Sequence, residues 1–574
     1  MKRKNFLAVI FIIVMSAMML AGCGKKDVTP EVTTSDVTTT SDETTVETTT
    51  DETTVETPVA EDSAYPGTPE ENGITVNITT EPADMFTVTS TDTISFSVFR
   101  HVIENLVMLD ENDKVIPGVA KDWKVSDDGL VYTFNLREGM TWSNGEKVTA
   151  NDFVFAWTSL LTPEFAADYA YFGYVFKNGL AYNNGEVGAE ELGFKAISDY
   201  ELEVTLENPT TYFLNTLAFG VLAPLNEKAY TEFGDTYGTD ADKMVTNGAF
   251  KLTSWEHENQ MVLEKNTDFY DADKIALDKL TLVMINDTNA ALNAFKAGEV
   301  DLITINGDQS KMMAAESYPV ITYDDGSCFY LEYNMTDKFL ANANLRKALT
   351  YAVDSQSFVD SIVKNASKPA VSFTPPAIFG LNGSFSDEVG ALLPVVDLAK
   401  AKEFYALALK ELDVETVDLT MICDDSDTAV LNASFIQEQL KTSLNIDLKI
   451  ESMPLKSRLD RMSNKDFSIV FAGWGPDYND PMTYLDMFET GNGNNHTSYS
   501  SKEYDALLAK VRTELDPAIR MGYLMDLEKL LMTDLPIGPV YWRARDYILS
   551  GKIESGVIRT AFQDMNFKNV KLAK

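Results

Sequence analysis

Basic residues are scarce in this chain: 47 lysines and arginines stand against 88 aspartates and glutamates, a formal net charge of −41. Phosphate binding needs clustered Lys and Arg, so this balance argues against nucleic acid as a partner and describes a solvated acidic surface. Histidine is scarcer still. His101, His257 and His496 are too few and too scattered for most metal or general-base schemes. HExxH, GxSxG, CxxC and GxxxxGKS/T are all missing, and Gly491-Asn-Gly-Asn-Asn-His496 lacks the last glycine of a dinucleotide fingerprint. Acids this abundant form carboxylate pairs by number alone, so residue type leaves a glycosidase-like pair open. The expectation is nevertheless no enzyme, no cofactor and no metal. Cysteine is limited to Cys23, Cys328 and Cys423, which rules out a disulfide scaffold; Cys328 and Cys423 are expected as buried free thiols. Only one long apolar run exists, Phe6 to Leu20, shorter than the ~20 residues of a membrane span, so the body is expected to be soluble.

That run is informative by its flanks. Lys2, Arg3 and Lys4 precede it and Ala21-Gly22-Cys23-Gly24 follow, the layout of a secretory signal peptide over residues 1–22. Leu20-Ala21-Gly22-Cys23 resembles the bacterial lipobox, which implies that Cys23 is diacylated and becomes the new N-terminus. Composition then changes abruptly. DETTVET occurs at Asp42–Thr48 and again at Asp51–Thr57, and residues 27–72 carry 13 acids and no base. Such a segment cannot bury enough apolar surface to offset the entropy of ordering, and like charges extend it. Residues 23–73 read as a disordered Thr/acidic linker that lifts a body away from a lipid anchor.

The body, 574 residues less this leader, is long enough for several structural units. Val131–Leu136 (VYTFNL) and Glu201–Leu206 (ELEVTL) alternate as strands with one face buried. Leu345–Val363, Leu398–Leu412, Ala429–Leu444 and Ala518–Met532 have helical spacing. Leu419–Cys423, Ile446–Ser452 and Phe467–Ala472 read as strands between them. Alternation of this kind predicts an α/β protein with a parallel or mostly parallel sheet. The stretch FAGWGPDYNDP (471–481) leaves the carboxyl end of one such strand, where ligands of open α/β sheets sit. Asp477 is therefore a candidate ligand-binding acid; the alternative is a loop acid capping a neighbouring turn.

Several longer stretches carry a resemblance. PGVAKDWKVSDDGLVYTFNLREGMTWSNGEKVTANDFVFAW (117–157), TNGAFKLTSWEHENQMVLEKNTDFYD (246–271), ALNAFKAGEVDL (291–302) and FYLEYNMTDKFLANANLRKALTYAVD (329–354) come in that order. GWGPDYNDP, YSSKEYDALL (499–508) and DLPIGPVYW (534–542) follow. From about Ile74 to its end the chain resembles the extracellular solute-binding proteins, family 5, which serve oligopeptide and dipeptide ABC importers.

The resemblance implies a two-lobed periplasmic-binding-protein-like fold of the cluster C type, with an extra domain inserted in the first lobe. Lobe I would combine 74–103, 225–327 and 540–574, the inserted domain would be 104–224, and lobe II 328–539. Crossovers near Phe329–Asn334 and Pro539–Arg543 would form the hinge. It also implies a site. Asp477 would pair with the α-ammonium of a peptide, Trp474 and Tyr478 would wall the pocket, and Gly473 and Gly475 would offer backbone to an extended ligand. Thr93, Tyr169, Asn306, Tyr330 and Asn494 fall at positions that line the cleft in relatives. Phe471 and Met462 stand where some relatives place a base for the ligand's carboxylate, and Arg461 is adjacent. The implied function is a lipid-anchored, monomeric receptor that delivers extracellular oligopeptides to the permease and ATPase subunits of an ABC importer. A same-fold receptor for oligosaccharides, nickel or haem, or a peptide-pheromone sensor, is the alternative.

Overall fold

The computed structural model describes residue 65 and residues 67–573, all within one compact unit, Thr57–Lys574. The signal peptide, Cys23 and the DETTVET repeats lie outside the described residues. Residues 67–72, assigned to the linker on composition, belong to the body. The fully buried Asp301 accepts the Thr68 backbone N–H at 2.8 Å and its hydroxyl at 2.7 Å, and Tyr65 packs against Phe295 and Tyr318. Composition could not register an acceptor so far along the chain.

An eleven-stranded sheet runs through the molecule. Its order is Lys449–Met453, Thr420–Asp424, Ile469–Trp474, Ile321–Tyr333, Ile537–Leu549, Leu302–Ile305, Gly73–Asn77, Lys279–Val283, Gln260–Lys265 and Phe250–Glu256, and Lys368–Pro369 adds to Ile537–Leu549. The two central strands have 13 residues each and so span about 43 Å, long enough to belong to both halves. They pair antiparallel with each other, with Ile321–Asp324 against Ala544–Tyr547 and Cys328–Glu332 against Ile537–Trp542. Register breaks between Phe329 and Tyr330, within the expected hinge stretch, and between Asp324 and Cys328, N-terminal to it. There Gly326 takes φ 68°, Gly326 N–H donates to Asp324 Oδ1 at 3.1 Å and Ser327 N–H to Asp325 Oδ1 at 3.0 Å.

The expected parallel pairing holds on both sides of Thr420–Asp424, which runs parallel to Lys449–Met453 and to Ile469–Trp474. It stops where Ile469–Trp474 meets Ile321–Tyr333 antiparallel, so the whole sheet is mixed rather than mostly parallel. The helices Leu398–Leu412, Asp427–Leu444 and Pro517–Asp534 match their spacing. The single helix expected over Leu345–Val363 is broken into Ala343–Ala352, Ser355–Phe358 and a π-helical turn Val359–Val363. Val353 turns extended and Asp354 starts a new cap, accepting from Ser357 N–H at 2.9 Å and its hydroxyl at 2.7 Å; a cap of this kind outweighs continued spacing.

A separate antiparallel sheet, Ala120–Val125, Val131–Leu136, Glu201–Thr205 and Phe194–Ser198, occupies the region expected as the insertion. Tyr132, Phe134 and Leu136 point inward as the alternation predicts, and helix Ala150–Leu161 packs the fully buried Trp157 against Phe176 and Phe194. Each such side chain contributes about 1.5–3 kcal/mol of burial. Cys328 and Cys423 are both buried and free, as expected. Among the described residues no helix is long and apolar enough to cross a membrane.

Candidate functional site

Strand Ile469–Trp474 delivers the loop that holds Asp477. Its buried side chains hold it inside the sheet, between Thr420–Asp424 and Ile321–Tyr333, and Pro476 then limits the backbone as it leaves. The loop is anchored by its own bonds: Trp474 Nε1–H donates to the Thr483 carbonyl at 2.8 Å, and Asp477 N–H donates to Thr483 Oγ1 at 2.9 Å. Pro481 begins the short helix Met482–Leu485, which returns Thr483 to that position. Gly473 pairs with Phe329, and a Cβ there would meet the Phe329 ring at 2.7 Å, so ring packing alone requires glycine. At Gly475 a Cβ would approach Ser327 Oγ at 3.2 Å.

Aromatic side chains from residues 104–224 close over this loop. Tyr169 stacks on Trp474 with centroids 6.0 Å apart and donates its hydroxyl to Asp477 Oδ1 at 3.3 Å. Tyr212 stacks on Tyr478 at 5.1 Å, and Phe172 meets the Tyr478 ring edge-on at 5.7 Å. Ser463 Oγ donates to Asp168 Oδ2 at 3.2 Å, a further link between the two regions.

Two buried carboxylate oxygens here have no hydrogen-bond partner, Asp477 Oδ2 and Asp486 Oδ1, and Tyr171 stands near both acids with its side chain meeting Asn494. Asp477 is held well above the usual carboxylate range by burial and then by the neighbouring Asp486, against the hydrogen bonds from Tyr169 and Thr483 and the charge of Arg100. Burial also pushes Asp486 up to about 8, opposed chiefly by Arg512. The hydroxyls of Tyr169, Tyr171 and Tyr478 are raised by burial and then by nearby Asp486 or Asp477. An enclosed, acid-rich pocket of this kind stabilises a cation that brings N–H donors and disfavours an anion.

The structure thus brings Asp477, Trp474, Tyr478, Tyr169 and Asn494 together. Gly473 and Gly475 flank Trp474, and the remaining three make other contacts. Tyr330 is buried, with its ring edge-on to Phe373 at 5.3 Å. Asn306 is exposed and caps helix Gly307–Ala315, accepting from Gln309 N–H at 2.9 Å. Thr93 is exposed at the start of helix Thr93–Val102. Tyr171, Tyr212, Phe172 and Asp486 were missed by the sequence reading. Asp486 alone left a trace, as the one charged residue in MTYLDMF (482–488).

Where some relatives place a base, this chain offers none to the pocket. Phe471 packs on Phe329 and Phe358 in the core. Met462 is buried beside Arg458, which is paired with Asp424 at 2.6 Å, and Arg461 is spent on Glu451 at 2.8 Å and Asp466 at 3.3 Å. Among the described residues no group of three or more His, Cys, Asp or Glu side chains could hold a metal.

A model of the bacterial extracellular solute-binding proteins, family 5 Middle, matches residues 114–496. The chain is 33% identical over 511 residues to the oligopeptide-binding protein OppA of Bacillus subtilis, covering 86% of this chain and 92% of that one. OppA of Listeria monocytogenes bound to peptide superimposes with a TM-score of 0.84 at 33% identity, over 88% of this chain and 99% of the other. The pheromone receptor PrgZ, solved to show its mode of peptide binding, gives 0.83 at 29% identity, over 88% and 100%. These matches bear out the two-lobed α/β fold.

Proposed function

The chain belongs to the bacterial extracellular solute-binding proteins of family 5, and from that membership we propose that it captures extracellular oligopeptides by their free N-terminus. It would act as a monomer anchored through a lipid on Cys23 and pass its cargo to the permease and ATPase subunits of an ABC importer, with no covalent chemistry. The relatives named above are peptide-binding proteins. The observation that carries the reading to this chain is the unpartnered, buried Oδ2 of Asp477 with the unpartnered Oδ1 of Asp486 near it. A peptide α-ammonium supplies the charge and the donors that this pocket lacks.

In this reading lobe I comprises 74–103, 225–327 and 540–574, the inserted domain 104–224, and lobe II 328–539. Closure brings Tyr169 and Phe172 onto the Asp477 loop, and peptide binding selects the closed arrangement. The absence of a base at Phe471 and Met462 favours ligands whose carboxylate lies outside the pocket, hence no fixed peptide length. The likeness to PrgZ supports a second reading with the same chemistry, in which the captured peptide is a signal rather than a nutrient.

Trp474 sits against Tyr169 and reports on closure. Titration of the full chain with a mixed peptide pool is expected to change its tryptophan fluorescence, and the same pool N-acetylated is expected to be silent. Asp477→Asn should lower affinity for the free-amine pool at least about tenfold, the scale of losing one charge-assisted bond of about 1.5–3 kcal/mol. Equal binding of both pools by the unmodified protein would remove the ammonium role from Asp477.

A further inference from the structure

This inference rests on the reading of Asp477 as the ammonium partner and concerns the acid behind it. Around the loop, buried acids outnumber the cations free to meet them. Arg512 is committed to both oxygens of Glu489, at 2.6 and 2.8 Å, and Arg520 to both oxygens of Asp480, at 2.7 and 2.9 Å. Arg100 donates to the carbonyls of Phe562 and Asp564 at 2.8 and 3.1 Å. Asp477 and Asp486 remain, one on the loop after strand Ile469–Trp474 and one on the turn Asp486–Phe488, each with an unpartnered oxygen. Two neighbouring carboxylates, each with a buried oxygen that no donor meets, cannot both stay charged at ordinary cost.

An ammonium brings several N–H donors, and two carboxylate oxygens here meet none: Asp477 Oδ2 and Asp486 Oδ1. We propose that Asp486 is the second half of the ammonium site, so that the Asp477–Asp486 pair holds a proton while empty and an incoming α-ammonium displaces that proton to solvent. One carboxyl O–H bond breaks, its proton passes to buffer, and the carboxylate left behind accepts an N–H of the ligand; no electron changes hands.

The groups facing the pair are consistent with this direction. Asp477 is faced by Asp486, Tyr169, Thr483 and Arg100, and its charge is felt by Tyr171 and Tyr484. Asp486 is faced by Arg512, Glu489, Tyr478 and Asp480, and its charge is felt by Tyr504. Both acids are raised by burial, so the empty closed pocket binds more protons than the liganded one. Affinity therefore rises with pH until the peptide amine itself loses its proton, near pH ~8.

The test is calorimetric titration of the full chain with an unblocked peptide pool, in phosphate and in Tris at one pH, with affinity followed from about pH 5 to about pH 7. The unmodified protein is expected to show a binding heat that depends on the buffer and an affinity that rises by up to about tenfold per pH unit across that range. Asp486→Asn is expected to weaken binding of the unblocked pool, lose the buffer dependence and flatten the pH profile, and Asp486→Glu to restore all three. Binding without buffer dependence in the unmodified protein overturns the proposal, whatever the variants do. So does Asp486→Asn with an unaltered profile. Indifference of the unmodified protein to acetylation would instead defeat the Asp477 reading, and this one with it, by a different measurement.

Discussion

Two aspartates of GWGPDYNDP stand three positions apart, and their surroundings separate their roles. Asp480 is buried, accepts Met482 N–H at 3.0 Å, and holds Arg520 through both oxygens. Asp480 thus caps the turn that begins helix Met482–Leu485. Asp480→Ala leaves the guanidinium of Arg520 enclosed and unpaired, and should cost about 3 kcal/mol of stability. Asp477→Asn removes an acid with no cation of its own, and should leave the ligand-free protein as stable or more so at neutral pH. Urea denaturation of the two variants checks the opposite signs. Asp477 was legible because it follows a buried strand and a proline. Asp486 and Tyr171 were not, since an acid in a helical turn and a tyrosine in ADYAYFGY look like ordinary surface and core until the fold apposes them.

At the scale of elements, spacing succeeded where one face is apolar over several turns, as in Leu398–Leu412, and where a strand alternates, as in Val131–Leu136. It failed where a polar residue competes for the backbone, as Asp354 does, and where pairing direction depends on a distant strand, as for Ile469–Trp474. The irregular stretch of Ile321–Tyr333 is the element most exposed to test. Asp325 there meets Arg543 at 2.6 Å and Arg545 at 2.8 Å, and the Tyr484 hydroxyl donates to the Gly326 carbonyl. At Gly326, φ is 68° and a Cβ would lie 2.9 Å from Pro476 Cγ and 3.0 Å from Ala561 Cβ. Gly326→Ala should therefore destabilise by more than about 1 kcal/mol. It should also weaken peptide binding, because the atom it displaces belongs to the Asp477 loop. Denaturation and peptide titration of that variant, side by side, measure both effects.

The whole molecule joins two halves of one sheet through two long strands, and the pocket forms only where residues 104–224 meet the loop at 471–481. In the proposed reading neither side binds alone: Asp477 and Asp486 each keep an oxygen that no donor meets, and Tyr169 from the other side closes over Asp477. The chain carries −41 in all, but in the proposed reading the ligand is selected by the two acids that keep a buried oxygen without a partner. The most direct test is a competition. The full chain is offered equal amounts of one peptide pool with free and with acetylated N-termini, and the bound fraction is weighed by native mass spectrometry. The account predicts that the retained peptides carry free amines, in excess by about tenfold or more. Retention of both forms in the proportion supplied would contradict it.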